Sequence, residues 1–311
     1  GSAAHVASSG SGVRPQMRTV HPLAASAAAT SAPMPAPPPV TRAMRGVASA
    51  GAWSLTWFMQ KIVACATSLA GMTPAAHVAN CSTLFPGLAS AEAARAAARA
   101  GYREVEFWWP FSVEDPSEAD IVGFADGLCD AGVELVAVNL WGGDMAAGQR
   151  GVLHERMLSD AHLDAIRRLM ELTGVSMGNL LPGAGGPEVT EMQRRHLRAV
   201  AEALPGFTPL IEPMSGNPDL PVRDPWTATE LCRETGAGLL LDVFHLAELG
   251  VDVDGWLDDV AAGTQPLPHH VQIADSPGRG APGSGDSPIG KWLGRLADLG
   301  YEGRVADEWL G

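Results

Sequence analysis

The chain has 311 residues, of which 46% are hydrophobic, and a formal net charge of −14. That much apolar material supplies a substantial core and excludes a chain disordered over most of its length. Charge is uneven: residues 1–71 hold five Lys/Arg and no Asp or Glu, so the remainder stands near −19, a surface that repels phosphate backbones and disfavours nucleic acid as a partner.

In chain order, residues 1–46 are rich in Ala, Ser and Pro and lack a periodic apolar face, so they read as a disordered, low-complexity extension. Their Arg-containing, Ser-rich, acid-free composition imitates a transit peptide, and AGAWSLTWFMQKIVACATSLAG imitates a signal region or a weak membrane span. Gln60 and Lys61 interrupt that apolar run near its middle, where a charge is costly in lipid, and this argues against insertion. The extension is assigned to residues 1–71 and one globular domain to 72–311, beginning at Met72. Cys65, Cys81, Cys129 and Cys232 lie far apart with neither C-x-x-C nor zinc spacing, and read as reduced core thiols of a cytoplasmic protein.

From His77 onward short apolar runs alternate with helix-like stretches. The runs are HVANCSTLF, REVEFWW, VELVAVNLW, SMGNLLPG, TPLIEPMS, GLLLDVFHL, HHVQIAD and GRVADEWL. Between them, SAEAARAAARAG offers Ser90 as N-cap and Gly101 just past the helix end. In LSDAHLDAIRRLMELTG, residues Leu163, Ile166, Leu169, Met170 and Leu172 recur at helical spacing. Eight strands alternating with helices predict an α/β fold, a closed (β/α)8 TIM barrel, with a doubly wound open sheet as the alternative. No G-x-G-x-x-G follows the first strand, which weakens a dinucleotide-binding version.

A parallel strand in such a barrel is covered on both faces, so charge at its end is costly unless it reaches the open C-terminal mouth. LIEPM places Glu212 there, GLLLD places Asp242, HVQIAD places Gln272, and VADEW places Glu308. Four successive strands, the fifth to the eighth, thus each aim one oxygen-bearing side chain at a common centre. Three carboxylates and one amide form a hard-oxygen site suited to Mg²⁺ or Mn²⁺, and like charges this close need a cation between them. Asp275 and Asp307 fall on the other face by period-2 alternation. His245 has the wrong parity for a continuing strand and reaches the site only if the strand has ended by Phe244.

With these residues in place, the sequence resembles the xylose isomerase-like barrels of sugar isomerases and epimerases and, among them, the hydroxypyruvate isomerase family. The resemblance covers about residues 77–310, and its most specific stretch is VNLWGGDMAAGQRG; REVEFWWPF, LLLDVFH and HHVQIADSPGR follow the family pattern in order. It implies Glu212, Asp242, Gln272 and Glu308 as metal ligands, the two glutamates doubling as acid and base, with His245 and Arg279 near the substrate's oxygens. Glutamine at the third ligand position favours the hydroxypyruvate branch over the ketose 3-epimerases.

That constellation suits proton transfer between adjacent carbons of a small hydroxy-carbonyl compound through an enediolate, as in converting hydroxypyruvate to tartronate semialdehyde. Arg279, on the loop SPGRGAPGSGD, is placed to hold a carboxylate bidentately, or else is a solvated loop arginine. Arg150 is assigned mainly a structural role. Two departures stand out: the family normally continues past the eighth strand into a closing helix, whereas this sequence ends at Gly311, and the acid-free N-terminal stretch is foreign to the family. The alternatives are a related isomerase or epimerase of another small sugar acid, such as a 2-oxo-tetronate, or a barrel that binds ligands without catalysis. An endonuclease IV-like function is disfavoured by the acidic surface and the lack of a histidine-rich set. Oligomeric state is left open.

Because residues 1–71 lack a packed apolar face, deleting them should leave melting temperature and turnover nearly unchanged in a thermal scan and a steady-state assay; a large fall in either would show that the segment contributes to the barrel.

Overall fold

The computed structural model describes residues 77–311; the expectations for residues 1–71, the domain start at Met72 and the thiol of Cys65 lie outside the described residues. Eight parallel strands are present: β1 (His77–Asn80), β2 (Glu104–Phe107), β3 (Glu134–Val138), β4 (Met177–Asn179), β5 (Thr208–Ile211), β6 (Gly238–Asp242), β7 (His270–Ile273) and β8 (Val305–Asp307). Their order along the sheet is β3-β2-β1-β8-β7-β6-β5-β4, so β8 returns beside β1 and the ends of the ladder are β3 and β4. The Leu140 N–H, just past β3, donates to the Asn179 carbonyl of β4 at 2.9 Å and draws those ends together into a nearly closed (β/α)8 barrel.

Helices cover the outside. The principal ones are α1 (Cys81–Leu84), α2 (Ser90–Ala100), α3 (Glu118–Ala131), α4 (Asp160–Thr173), α5 (Glu191–Ala203), α6 (Pro225–Thr235), α7 (Val243–Glu248), α8 (Val253–Ala261) and α9 (Ile289–Asp298). Most carry the caps that local chemistry favours: Ser159 caps α4 by accepting from the His162 N–H, and Ser117 and Thr190 close capping boxes on α3 and α5. Ser90 corrects one expectation. The N-cap of α2 is Ala89, with no side-chain cap, and Ser90 is the first helical residue; Gly101 does end the helix at φ 100°.

Period-2 alternation divides each strand between two environments. Outward residues such as Val105, Leu239, Leu241, Val271, Ile273 and Val305 join the helix faces in one large core, where each fully buried Leu or Ile contributes about 1.5–3 kcal/mol. Inward residues fill the barrel itself: Val78, Ala137 and Ala306 form a small apolar cluster, joined by Val136, which the register shift between β2 and β3 takes out of alternation, with Met177 packed against it. On the same strands, two residues further on, Asn80, Asn179 and Glu308 replace apolar side chains with polar ones, so the barrel is apolar at its base and polar at its mouth.

Two free cysteines, Cys81 and Cys232, are buried as expected, and burial pushes the Cys232 thiol up to about 12. Cys129 departs from the expected core position: it lies on the exposed side of α3. Among the described residues no helix is long and apolar enough to cross a membrane.

Closure of the barrel depends on one glycine. A Cβ built on Gly178 would lie 1.8 Å from the Val138 carbonyl oxygen of β3, a backbone atom that cannot swing aside. Gly178→Ala should therefore lower stability in urea unfolding by about 3 kcal/mol or more. Gly123, on the exposed side of α3 with open space around it, gives the contrast: Gly123→Ala should raise stability by about 0.5–1 kcal/mol.

Candidate active site

The polar mouth is built by strand register. Asp242 on β6 pairs with Gln272 on β7, Gln272 pairs with Ala306 on β8, and the Glu308 N–H donates to the Ile273 carbonyl at 2.9 Å. Asp242, Gln272 and Glu308 consequently stand side by side, with Glu212 following β5. All are buried: Glu212, Asp242 and Glu308 are 4, 0 and 3% exposed.

Asp242 ends its strand because it caps the helix that follows. Its Oδ1 accepts from the Phe244 N–H at 2.8 Å, which starts α7 at Val243 and leaves Oδ2 for the site. The strand therefore stops before Phe244, and the helical turn brings His245 back to the same side three residues on. His245 Nε2 lies 3.6 Å from Glu212 Oε1 and 3.7 Å from Asp242 Oδ2, and the ligand atoms of these three residues all lie within 4.8 Å of one another. The other ring nitrogen sets the tautomer. Both the N–H and the hydroxyl of Ser215 reach Nδ1, at 3.2 and 2.7 Å; the N–H can only donate, so Nδ1 is an acceptor, the hydroxyl donates to it as well, and the neutral ring carries its proton on Nε2. Burial, with Arg279 nearby, depresses the imidazole to about 4, which keeps it neutral. His245 thus faces the centre as a hydrogen-bond donor.

Arg279 is not a solvated loop arginine. Its side chain is 17% exposed; Nη2 lies 2.9 Å from Glu308 Oε2 and 3.5 Å from Asp242 Oδ2, and the guanidinium sits 5.0 Å above the Phe244 ring. Its backbone takes the left-handed region at φ 53°, unusual for a side-chain-bearing residue. Arg150, by contrast, donates to the Met145 and Gln149 carbonyls at 3.2 and 2.8 Å and braces its own loop. Asp275 accepts from the Gly283 and Ser287 N–H groups, organising the Arg279 loop, and Asp307 faces Tyr102 and His77 on the other side of β8.

Sequence inspection missed a ring of residues from the first half of the barrel. Asn80 Nδ2 donates to Glu106 Oε1 at 2.8 Å and to Glu308 Oε1 at 3.2 Å, while Trp108 Nε1 donates to Glu308 Oε1 at 2.9 Å. Asn179 Nδ2 donates to Glu212 Oε2. Glu106 receives His270 Nε2 and Gln272 Nε2, each at 2.6 Å. The signal that located the later four residues, a polar side chain at a strand end, is also present in VANCS, REVEFWW and SMGNLL. Beside Trp108 opens a cleft of about 450 Å³, walled by Trp109, Phe111, Trp141 and Met145, with Asn139 and Asp144 as polar members.

Burial dominates the electrostatics. It raises the Glu212 carboxyl well above the usual range, helped by repulsion from Asp242 and Glu308; it also raises Asp242, and it carries Glu308 to about 7. Arg279 opposes this in all three. Burial would also raise Glu106, but His270 and the hydrogen bonds from His270, Gln272 and Asn80 outweigh it and hold that carboxyl low. The cluster therefore gathers carboxyl oxygens beyond what Arg279 neutralises. It also contains a buried acceptor with no hydrogen-bond partner, Gln272 Oε1. Carboxylate oxygens and a free amide oxygen are the donors a hard divalent cation takes, so Glu212, Asp242, Gln272 and Glu308 fit one.

Comparison with known proteins agrees with this architecture. A family profile for xylose isomerase-like TIM barrels matches residues 94–310. A Streptomyces coelicolor protein provisionally named a hydroxypyruvate isomerase is 33% identical over 74% of this chain and 88% of its own length. The hydroxypyruvate isomerase of Escherichia coli K12 is 27% identical over 74% of this chain and 92% of its own. Among solved structures, one described as AP endonuclease, family 2, from Brucella melitensis superposes with TM-score 0.64 and 25% identity, covering 75% of this chain and 92% of that one. With eight parallel strands, a carboxylate-rich C-terminal mouth and a profile match over most of its length, the chain belongs to the xylose isomerase-like TIM barrel family.

Proposed function

We propose that the chain is a divalent-metal-dependent isomerase that interconverts hydroxypyruvate and tartronate semialdehyde in the cytoplasm. The observation that carries this reading is the pair of buried glutamates, Glu212 and Glu308, facing one centre from strands flanking β6 and β7, both raised above the usual carboxylate range by burial, Glu308 to about 7. Groups poised there can both take and return a proton. The hydroxypyruvate isomerases named above support the substrate class.

Glu212, Asp242, Gln272 through Oε1, and Glu308 would hold Mg²⁺ or Mn²⁺. When bound, the cation supplies Lewis-acid polarisation of the substrate's carbonyl and neighbouring hydroxyl, which acidifies the C–H bond between them. One glutamate takes the proton from the hydroxymethyl carbon, and the other returns a proton to the former carbonyl carbon. The hydroxyl proton passes from the first oxygen to the second, so carbonyl and hydroxyl exchange carbons, the ketone becoming an alcohol and the primary alcohol an aldehyde, with no net redox change. Asn179 holds Glu212 by Oε2, and Asn80 and Trp108 hold Glu308 by Oε1, so each base is aimed by its other oxygen. His245 donates from Nε2 to a substrate oxygen. Arg279 pairs with the substrate carboxylate, and the Trp108, Trp109 and Trp141 walls keep bulk water from the enediolate.

Two sets of measurements test this. Millimolar Mn²⁺ should raise the melting temperature of the wild type, and Asp242→Asn should weaken that rise; absence of any metal-dependent stabilisation in the wild type would remove the metal from the proposal. In an NMR assay with Mn²⁺ in deuterated water, hydroxypyruvate should give tartronate semialdehyde carrying deuterium at the carbon that receives the proton. Glu212→Gln and Glu308→Gln should each lower kcat by about 10²-fold or more with the fold retained, and the double variant should cost far less than the product of the singles. Faster turnover of a 2-oxo-tetronate would move the substrate while keeping the chemistry; near-normal turnover in Glu308→Gln with metal bound would end the two-glutamate mechanism.

A further inference from the structure

Glu106 lies inside the barrel on β2, 2% exposed, and takes no part in the proton transfer described above. An apolar residue would fill this position at lower cost than a buried carboxylate, which must be matched by donors on every side. Those donors are present, one from the neighbouring strand β1 and two from β7, three places along the sheet. Asn80 Nδ2 of β1 lies 2.8 Å from Oε1, Gln272 Nε2 of β7 lies 2.6 Å from the same oxygen, and His270 Nε2 of β7 lies 2.6 Å from Oε2.

The consequence falls on Gln272. A carboxamide has nearly the same shape either way round, so packing alone cannot decide whether its oxygen or its NH₂ faces the centre. Glu106 decides it. Turned over, Gln272 would set its oxygen against Glu106 Oε1 at hydrogen-bond distance, acceptor against acceptor, and lose a charge-assisted bond. With Nε2 held by Glu106, Oε1 is left as the buried acceptor without a partner. Asn80 is fixed in the same way. Its Oδ1 accepts from the Ser82 and Thr83 N–H groups at 3.1 and 3.3 Å, which commits Nδ2 to bridge Glu106 and Glu308.

We propose that Glu106 is a positioning residue that sets the polarity of the Gln272 amide, so that its oxygen faces the divalent cation, and that through Asn80 it holds Glu308 toward the same centre. This rests on the metal-dependent reading above, and the test separates the two.

Mn²⁺ is titrated into wild type, Glu106→Gln, Gln272→Glu and the swap carrying both substitutions, with free Mn²⁺ followed by its paramagnetic resonance and metal-free stability by thermal unfolding. Glu106→Gln should bind Mn²⁺ at least tenfold more weakly than wild type, because the new carboxamide can donate to the Gln272 oxygen and turn its NH₂ inward. The swap makes the pair complementary again with the roles reversed, a donor at 106 and an acceptor at 272 that keeps an oxygen toward the centre, and should recover affinity to within about threefold of wild type, above both single variants. A passive structural role would move metal-free stability and would not predict this recovery.

Wild-type-like affinity in Glu106→Gln would overturn the proposal, as would a swap no better than Gln272→Glu alone, since added charge would then account for the gain. Should Glu106→Gln fail to fold, the swap decides by itself: it must fold and bind Mn²⁺ within tenfold of wild type. Failure of the wild type to bind Mn²⁺ would bring down the metal reading, and this assignment with it.

Discussion

Everything at the mouth of this barrel follows from the cost of holding carboxylates out of water. Glu106, Glu212, Asp242 and Glu308 are buried together, and an unpaired charge in such surroundings loses several kcal/mol of hydration. Glu106 is satisfied by donors from two other strands. The other three share the field of one guanidinium, from Arg279; burial raises all of them, and repulsion from neighbouring carboxylates adds to it for Glu212 and Glu308. A site in that condition suits a cation, and in the proposed reaction metal binding and proton exchange would share one origin, the burial of these carboxyls together.

The barrel divides the work between its halves. Strands β5 to β8 carry the groups that would touch metal and substrate: Glu212, Asp242, Gln272 and Glu308. Strands β1 to β4 carry the groups that aim them: Asn80, Glu106 and Asn179, with Trp108 just past β2. The cleft walls also come from the segments after β2 and β3. Because β8 pairs with β1, Glu308 sits where the halves meet and takes hydrogen bonds from Asn80 and Trp108 at once. Parallel topology makes this possible: every strand ends at the same mouth, so residues more than 200 apart in sequence become neighbours.

The same topology explains what was legible in the sequence. Strand count, helix alternation and the outward-facing aspartates Asp275 and Asp307 follow from local periodicity, which a single sequence displays in full. The converging carboxylates were visible because each follows an apolar run too hydrophobic to end in charge by chance. Asn80, Glu106 and Asn179 show the same polar residue at a strand end, but with a second local meaning for the asparagines: an asparagine there also reads as a helix cap, and Asn80 does cap α1. Their roles exist only in pairings between strands, which a single strand's pattern does not display. Cys129 and Ser90 differ from expectation for a smaller reason, one residue of helix phase: Cys129 follows buried Leu128 and turns outward, and Ser90 is the first helical residue while Ala89 is the cap. The position of Arg279 was beyond local inspection, since nothing in a Gly/Pro-rich loop foretells a left-handed arginine folded back over Phe244.

His245 shows how one backbone hydrogen bond narrows the chemistry. By proximity alone it groups with Glu212 and Asp242 as a mixed nitrogen and oxygen site, the kind that suits zinc. An N–H is obliged to donate, however, and the Ser215 N–H donates to Nδ1, so the neutral ring has no lone pair left on Nε2 to give a metal. What would remain for a metal is oxygen: the carboxylates, and Gln272 Oε1, whose amide nitrogen is held by Glu106. An all-oxygen set favours Mg²⁺ or Mn²⁺. It also leaves the Nε2 proton of His245 beside Glu212, where a substrate oxygen would gather negative charge as the C–H bond breaks. In the proposed reaction the histidine would thereby serve the developing enediolate through a donor whose direction is set in the resting protein, with no reorganisation left for the moment of reaction.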